Sequence, residues 1–210
     1  MYERVLPHGS KDLLAAIGEQ PAGLTAGWVL AGGTGLAMHL GHRASDDFDF
    51  FRNDGIDLTL LLTVLQRIGP CETLQHEERT LTVVLRGVKL SFFRIADPFV
   101  FPTTPFSFFR VADVRDIALM KLVAVTNRGS RKDFADLYCL FRRGLSLREC
   151  LELLPRKYGE GTVNDYQILK SLTWFEEADQ EPAPRMLEPF SWAECKAFFV
   201  REVHALLLPP

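Results

Sequence analysis

Asp47 and Asp49 stand one residue apart in Asp47-Phe-Asp-Phe-Phe51, a segment otherwise apolar enough for the interior of a sheet. Successive strand side chains point to opposite faces. Phe48 and Phe50 would therefore anchor one face while the two carboxylates, about 7 Å apart along the chain, converge on the other. Such a pair can bracket a divalent cation with hard oxygen ligands, and Mg²⁺ (with Mn²⁺ as a substitute) is held by one or two carboxylates together with substrate phosphates. Without a cation, two ionised acids in a partly dry site are costly. The competing assignment puts both at an exposed sheet edge, or in ion pairs with Arg43 and Arg52.

Gly32 and Gly33 follow the apolar run Trp28-Val-Leu-Ala31. A glycine pair between a strand and a helix lets the backbone approach a ligand closely, with free amides at the helix N-terminus aimed at an anion. Thr34 adds a hydroxyl. Glycines placed this way suit a triphosphate, and the aspartates suit the metal bridging it. A dinucleotide fingerprint would need a small residue where Met38 stands, and the Gly-Lys-Ser/Thr of a P-loop is absent. Arg43 and Ser45 would reach the triphosphate or brace the carboxylates; alternatively Arg43 neutralises Asp46. His42 reads as a loop-packing residue.

A second group of candidates lies about seventy residues on. Lys121 and Arg128 are seven residues apart and project from one helical stripe, with Ile117, Met120 and Ala124 able to face a core. On the next helix Lys132, Asp133 and Asp136 fall on one side and Phe134, Leu137 and Phe141 on the buried side. Lys121 would meet the β- and γ-phosphates or the departing pyrophosphate, because phosphoryl transfer depends on positioning and electrostatic stabilisation. The bland alternative is a lysine snorkelling at the surface. Arg128 and Lys132 complete the candidate nucleotide-binding cations. Asp136 is the candidate base or acceptor-orienting group, set against an ion pair of Asp133 or Asp136 with Lys132 or Arg131.

These residues need elements to hold them. Periodicity predicts a helix over 11–17, a strand from 28, a helix over 34–40, a strand over 47–51, a helix over 58–68, and strands over 71–76, 79–86 and 88–95, the last two joined at Gly87. A loop rich in proline and phenylalanine covers 97–109. Beyond it every periodic segment is helical: 113–127, 132–142, 147–157, 165–177 and 192–207. Ser146 with Glu149 and Ser191 with Glu194 form capping boxes. The order implies an α+β protein, with a mixed α/β part over 1–110 and a helical part over 111–210.

Composition bounds the rest. The 210 residues are 47% hydrophobic and 24% charged with a formal charge of −3, which fits a folded globular chain and not a general polyanion binder. Basic residues outnumber acidic ones from Arg110 to Lys157, so an acceptor bearing phosphates would dock there. The four cysteines are scattered, with no zinc-ligand spacing, and read as reduced thiols of a cytoplasmic protein. There is no signal peptide or membrane span to read, and no extended heptad or apolar surface, so a monomer is expected.

Gly32-Gly-Thr34 followed by Gly41-His-Arg-x-Ser45-x-Asp47-Phe-Asp-Phe-Phe51 resembles the signature of the AbiEii/AbiGii toxin family, a branch of the DNA polymerase β-like nucleotidyltransferases. The block from Asp113 to Lys121 and on through Arg128 to Tyr138 is similar to that family's helical motif. The resemblance implies a minimal nucleotidyltransferase domain with a helical domain attached. It also implies metal-dependent transfer of a nucleoside monophosphate from an NTP to an acceptor, RNA such as a tRNA 3′ end included, and a cognate antitoxin. The superfamily's third metal carboxylate would fall in Val88–Arg94, where Ser91 stands. That departure keeps open a degenerate fold that binds nucleotide or a partner without turnover, and since the fold alone does not fix the acceptor, an antibiotic-type transferase acting on a small molecule is a further alternative.

Overall fold

The computed structural model describes residues 1–207. In chain order the elements are α1 (Ser10–Gly18), α2 (Ala22–Thr25), β1 (Val29–Leu30), α3 (Gly32–Leu40), β2 (Asp47–Arg52), α4 (Leu58–Ile68), β3 (Cys71–Glu77), β4 (Thr80–Leu85), β5 (Val88–Arg94), β6 (Thr104–Phe106) and β7 (Phe109–Val111). The helices α5 (Val114–Asn127), α6 (Arg131–Phe141), α7 (Leu147–Tyr158), α8 (Asp165–Ser171), α9 (Glu176–Gln180) and α10 (Trp192–Leu207) follow. The architecture is α+β.

One mixed sheet runs in the order β3-β4-β5-β2-β1-β7-β6. Its register sorts the side chains by period two. Phe48 and Phe50 of β2 point with Leu90 and Phe92 of β5 into a core closed by α1 and α4. There Phe50 stacks on Phe92 with ring centroids 5.3 Å apart. Each buried phenylalanine contributes roughly 1.5–3 kcal/mol, which pins the strand against a one-residue slip that would reverse every side chain. Asp47 and Asp49 are thereby forced onto the opposite face, next to Lys89 and Ser91 of β5. The second core lies on that face, around Leu36, Ile117, Leu122, Phe134 and Phe199, and is built from α3 and the C-terminal helices.

Turn chemistry agrees with the strand pairing. Leu85 pairs with Val88, and the two residues between them, Arg86 and Gly87, both have positive φ (50° and 82°), the signature of a tight hairpin. The segment 97–109, expected to be a loop, ends instead in the β6–β7 hairpin. Pro105 is tolerated because β6 is the edge of the sheet. The helix expected over 165–177 is broken into α8 and α9. Thr173 caps the end of α8 by donating to the Lys170 carbonyl at 2.9 Å, and the turn lets Phe175 pack on Phe134 while Trp174 faces outward.

Candidate functional site

The site begins where β1 gives way to α3. The amide of Ala31 donates to the Asp49 carbonyl at 3.0 Å, so the glycine pair is tied directly beside the acidic strand. Gly32 is the first residue of α3 and has φ +59°, a left-handed conformation that favours glycine. A β-carbon there would lie 2.8 Å from Asp49 Oδ2, and one at Gly33 would lie 2.2 Å from an Nη of Arg43. A side chain at either position would have to displace that neighbour. Asp47 and Asp49 are half-buried, and Lys89 Nζ is 3.7 Å from Asp47. Burial and the neighbouring Asp47 charge push the Asp49 carboxyl above the ordinary range, against the pull of Lys121, Lys89 and Arg128. A bound cation would relieve the cost of ionising Asp49 in this setting.

Behind this ledge is a buried ion network. Asp136 is fully buried; its Oδ1 accepts from His42 Nε2 at 2.7 Å and Arg43 Nε at 2.6 Å, and its Oδ2 faces an Arg43 Nη at 2.9 Å and Lys121 Nζ at 2.7 Å. Four donors fill the acceptor positions of a carboxylate. Burial pushes the Asp136 carboxyl upward, but the Lys121 and Arg43 charges outweigh it and hold the group well below the usual range. Lys121 Nζ also donates to Asp133 Oδ1 at 2.7 Å. Burial disfavours its ammonium, yet Asp133 and Asp136 keep it charged. With two of three N–H groups engaged on protein, one is left for a ligand.

The expected residues therefore separate into two groups. Gly32, Gly33, Asp47 and Asp49 come together at the ledge, and the Lys121 charge lies near enough to act on Asp49. Arg43 is 3% exposed and fixed on Asp136 beside Gly33, so its guanidinium braces the site from within. Thr34 and Ser45 are also buried: the Thr34 hydroxyl bonds the Ser45 hydroxyl at 2.6 Å and the Asp47 carbonyl, pinning the start of β2 to α3. His42 belongs to the network. The segment after α9 holds this loop from outside, with the Leu187 amide on the His42 carbonyl at 2.8 Å and the Ala44 amide on the Arg185 carbonyl at 2.9 Å.

The single stripe expected for Lys121 and Arg128 is interrupted. Arg128 caps α5 in extended conformation (φ −148°, ψ 121°) and its side chain is 71% exposed, 3.3 Å from Asp133. Lys132 is exposed on the first turn of α6. Asp133 and Asp136 pair across helices with Lys121, Arg43 and Arg128 and not with their neighbours Arg131 and Lys132. Sequence reasoning missed Lys89; the parallel register that sets Asp47 opposite Lys89 and Asp49 opposite Ser91 would have found it. Among the described residues no group of three or more histidines, cysteines or carboxylates could hold a metal, and Ser91 hydrogen-bonds Thr82. A cation here would rest on Asp47 and Asp49 alone, with its other ligands from substrate.

A family model described as "Nucleotidyl transferase AbiEii toxin, Type IV TA system" matches residues 13–205. A protein of Aquifex aeolicus described as uncharacterized is 37% identical over 191 residues, which is 88% of this chain and 90% of that one. Among solved structures the chain resembles MenT4, a nucleotidyltransferase toxin from Mycobacterium tuberculosis, with TM-score 0.59 and 16% identity over 96% of this chain and 82% of the other. It also resembles JHP933 from Helicobacter pylori, with TM-score 0.54 and 16% identity over 94% and 89% of the two chains. At that identity the two structures speak for the fold.

Proposed function

The chain belongs to the AbiEii nucleotidyltransferase toxin family, and from that premise we propose that it transfers a nucleoside monophosphate from an NTP to an RNA acceptor with the help of Mg²⁺ or Mn²⁺. The observation that carries this reading is the packing of the Asp49 carboxylate against Gly32, with Lys121 held charged close by. Asp47 and Asp49 would hold the cation, which would neutralise the triphosphate. The amides at the start of α3 carry no side-chain cap and would offer donors to the phosphates. Lys121 directs its remaining N–H to the charge that develops on the departing pyrophosphate. The acceptor hydroxyl bonds to the α-phosphorus, the bond to the β-phosphate oxygen breaks, and the hydroxyl proton passes to water.

Asp136 takes the part of a positioning residue in this scheme. Its four contacts and its held charge leave it no capacity to accept a proton, and it aligns Lys121 and Arg43 instead. Arg128 and Lys132, exposed at the lip, face the acceptor. Thr34, Ser45 and Arg43 support the nucleotide site from behind. No helix among the described residues is long and apolar enough to cross a membrane; we place the protein in the cytoplasm, as a monomer with a cognate antitoxin.

The test is transfer of label from each of the four NTPs to total RNA with Mg²⁺ present. The wild type labels RNA and the Asp47→Ala, Asp49→Ala double variant does not; equal labelling by both refutes the assignment. Ser91 opposite Asp49 favours one other reading, a fold that binds nucleotide without turnover. Calorimetry showing NTP binding, with no pyrophosphate released across RNA and small-molecule acceptors, would establish that reading.

A further inference from the structure

The chain leaves α5 through Arg128 and Gly129, and the Gly129 amide donates to Glu177 Oε2 at 2.9 Å. Between this turn and α8 lies a cavity of about 370 Å³, walled by Arg128, Gln167, Lys170, Trp174 and Glu177. Its size is that of a small-molecule site. Trp174 is 60% exposed, whereas Trp28 is fully buried and Trp192 donates its indole N–H to Asp179 at 2.6 Å. A bare indole flanked by an arginine and a lysine has the chemistry of a stacking platform beside phosphate-binding cations. The Gln167 amide and the Glu177 carboxylate supply donors and acceptors for the edge of a planar ring.

The cavity joins the candidate site through one residue. Arg128 Nε is 3.3 Å from Asp133 Oδ2, and Asp133 Oδ1 is 2.7 Å from Lys121 Nζ. Six residues of helical rise separate Lys121 from Asn127, the last residue of α5 and the neighbour of Arg128, about 9 Å. A ligand with phosphates at Lys121 can therefore extend a ring into the cavity.

We propose that this cavity binds an unpaired nucleobase, stacked on Trp174 with its phosphate between Arg128 and Lys170. The inference rests on the nucleotidyltransferase reading and adds to it where the base is recognised. The base belongs to the NTP or to the 3′-terminal nucleotide of a single-stranded RNA.

Tryptophan fluorescence of the full chain, titrated without added metal, tests this with three probes: an NTP, inorganic tripolyphosphate and a short single-stranded oligoribonucleotide. The NTP or the oligonucleotide quenches the fluorescence and tripolyphosphate does not; quenching by the NTP assigns the base to the donor, and quenching by the oligonucleotide alone assigns it to the acceptor. Trp174→Ala abolishes the quench and weakens binding of the quenching probe about tenfold, the scale of one base–aromatic stack, while Trp174→Phe restores most of the affinity. Thermal melts of both variants report folding. Trp174→Ala binding both nucleotide probes as tightly as the wild type overturns the proposal. If such a variant also transfers nucleotide with unchanged KM, the cavity assignment fails and the transferase reading stands. Quenching by nucleotide in a chain that transfers nothing supports the cavity and counts against the transferase.

Discussion

Gly32 and Asp49 occupy adjoining space so closely that a β-carbon at position 32 would sit 2.8 Å from Asp49 Oδ2. The Asp49 carboxylate rests on bare backbone at the start of α3, where no side chain caps the helix. The acid proposed to hold the cation and the hinge proposed to hold the phosphates are thus parts of one surface.

Gly32→Ala should separate folding from activity. The added methyl meets the free end of a flexible side chain, so Asp49 can swing away, and alanine at positive φ costs about 1–3 kcal/mol. Transfer should fall by about 100-fold, the scale of an ångström-level displacement of a reacting group. Thermal melting read together with RNA labelling checks both; a variant as active as the wild type would mean that the Asp49 orientation is immaterial.

Asp49→Asn should make the protein more stable at neutral pH while removing activity. The folded carboxyl titrates above its unfolded value, so its contribution is favourable while protonated, below the unfolded carboxylate pKa of about 4, and is lost as the pH rises through the folded value. The advantage of the variant is present at pH 7 and vanishes under acid conditions. Urea melts across this range test it. Mg²⁺ should raise the melting temperature of the wild type more than that of the variant, because ligand binding to the native state stabilises by mass action.

Asp136→Ala should destabilise the fold by roughly 3–5 kcal/mol, since it leaves Arg43 buried without its counter-charge and Lys121 with Asp133 alone. The sign with pH is opposite to that of Asp49. The Asp136 carboxyl is held well below its ordinary value, so its contribution is present above the unfolded pKa and lost as the pH falls through the folded one. Denaturant melts should therefore show the gap between wild type and variant narrowing in strong acid.

Arg128→Gln and Lys121→Gln should differ in kind. Arg128 is largely exposed and holds Asp133 only loosely, so its loss costs at most about 1 kcal/mol of stability and appears as a raised KM. Loss of Lys121 removes a charge from the leaving group and about 10²–10³ from kcat. Steady-state kinetics on both variants distinguishes the two roles.

Much of the fold was legible because it is written in local periods. Alternation across Asp47–Phe51 announced a strand with acids on one face, and Gly87 announced a hairpin. The β6–β7 hairpin was missed because Pro105 argues against a strand unless its place at the sheet edge is known. Helix α8 ended early because Phe175 gains burial against Phe134, a partner some forty residues away.

By itself the sequence determined which residue types would share a strand face or a helix stripe, because a side chain's direction follows from backbone period. Only the tertiary structure decided what each polar group does. Arg43 and Asp136 are 93 residues apart in the chain, and no spacing predicts that they bind each other. Once the helices bury Asp136, an unpaired charge there would be expensive, so Arg43, Lys121 and His42 are drawn onto it. Trp174 is left in water for the complementary reason: the turn that buries Phe175 points its neighbour outward.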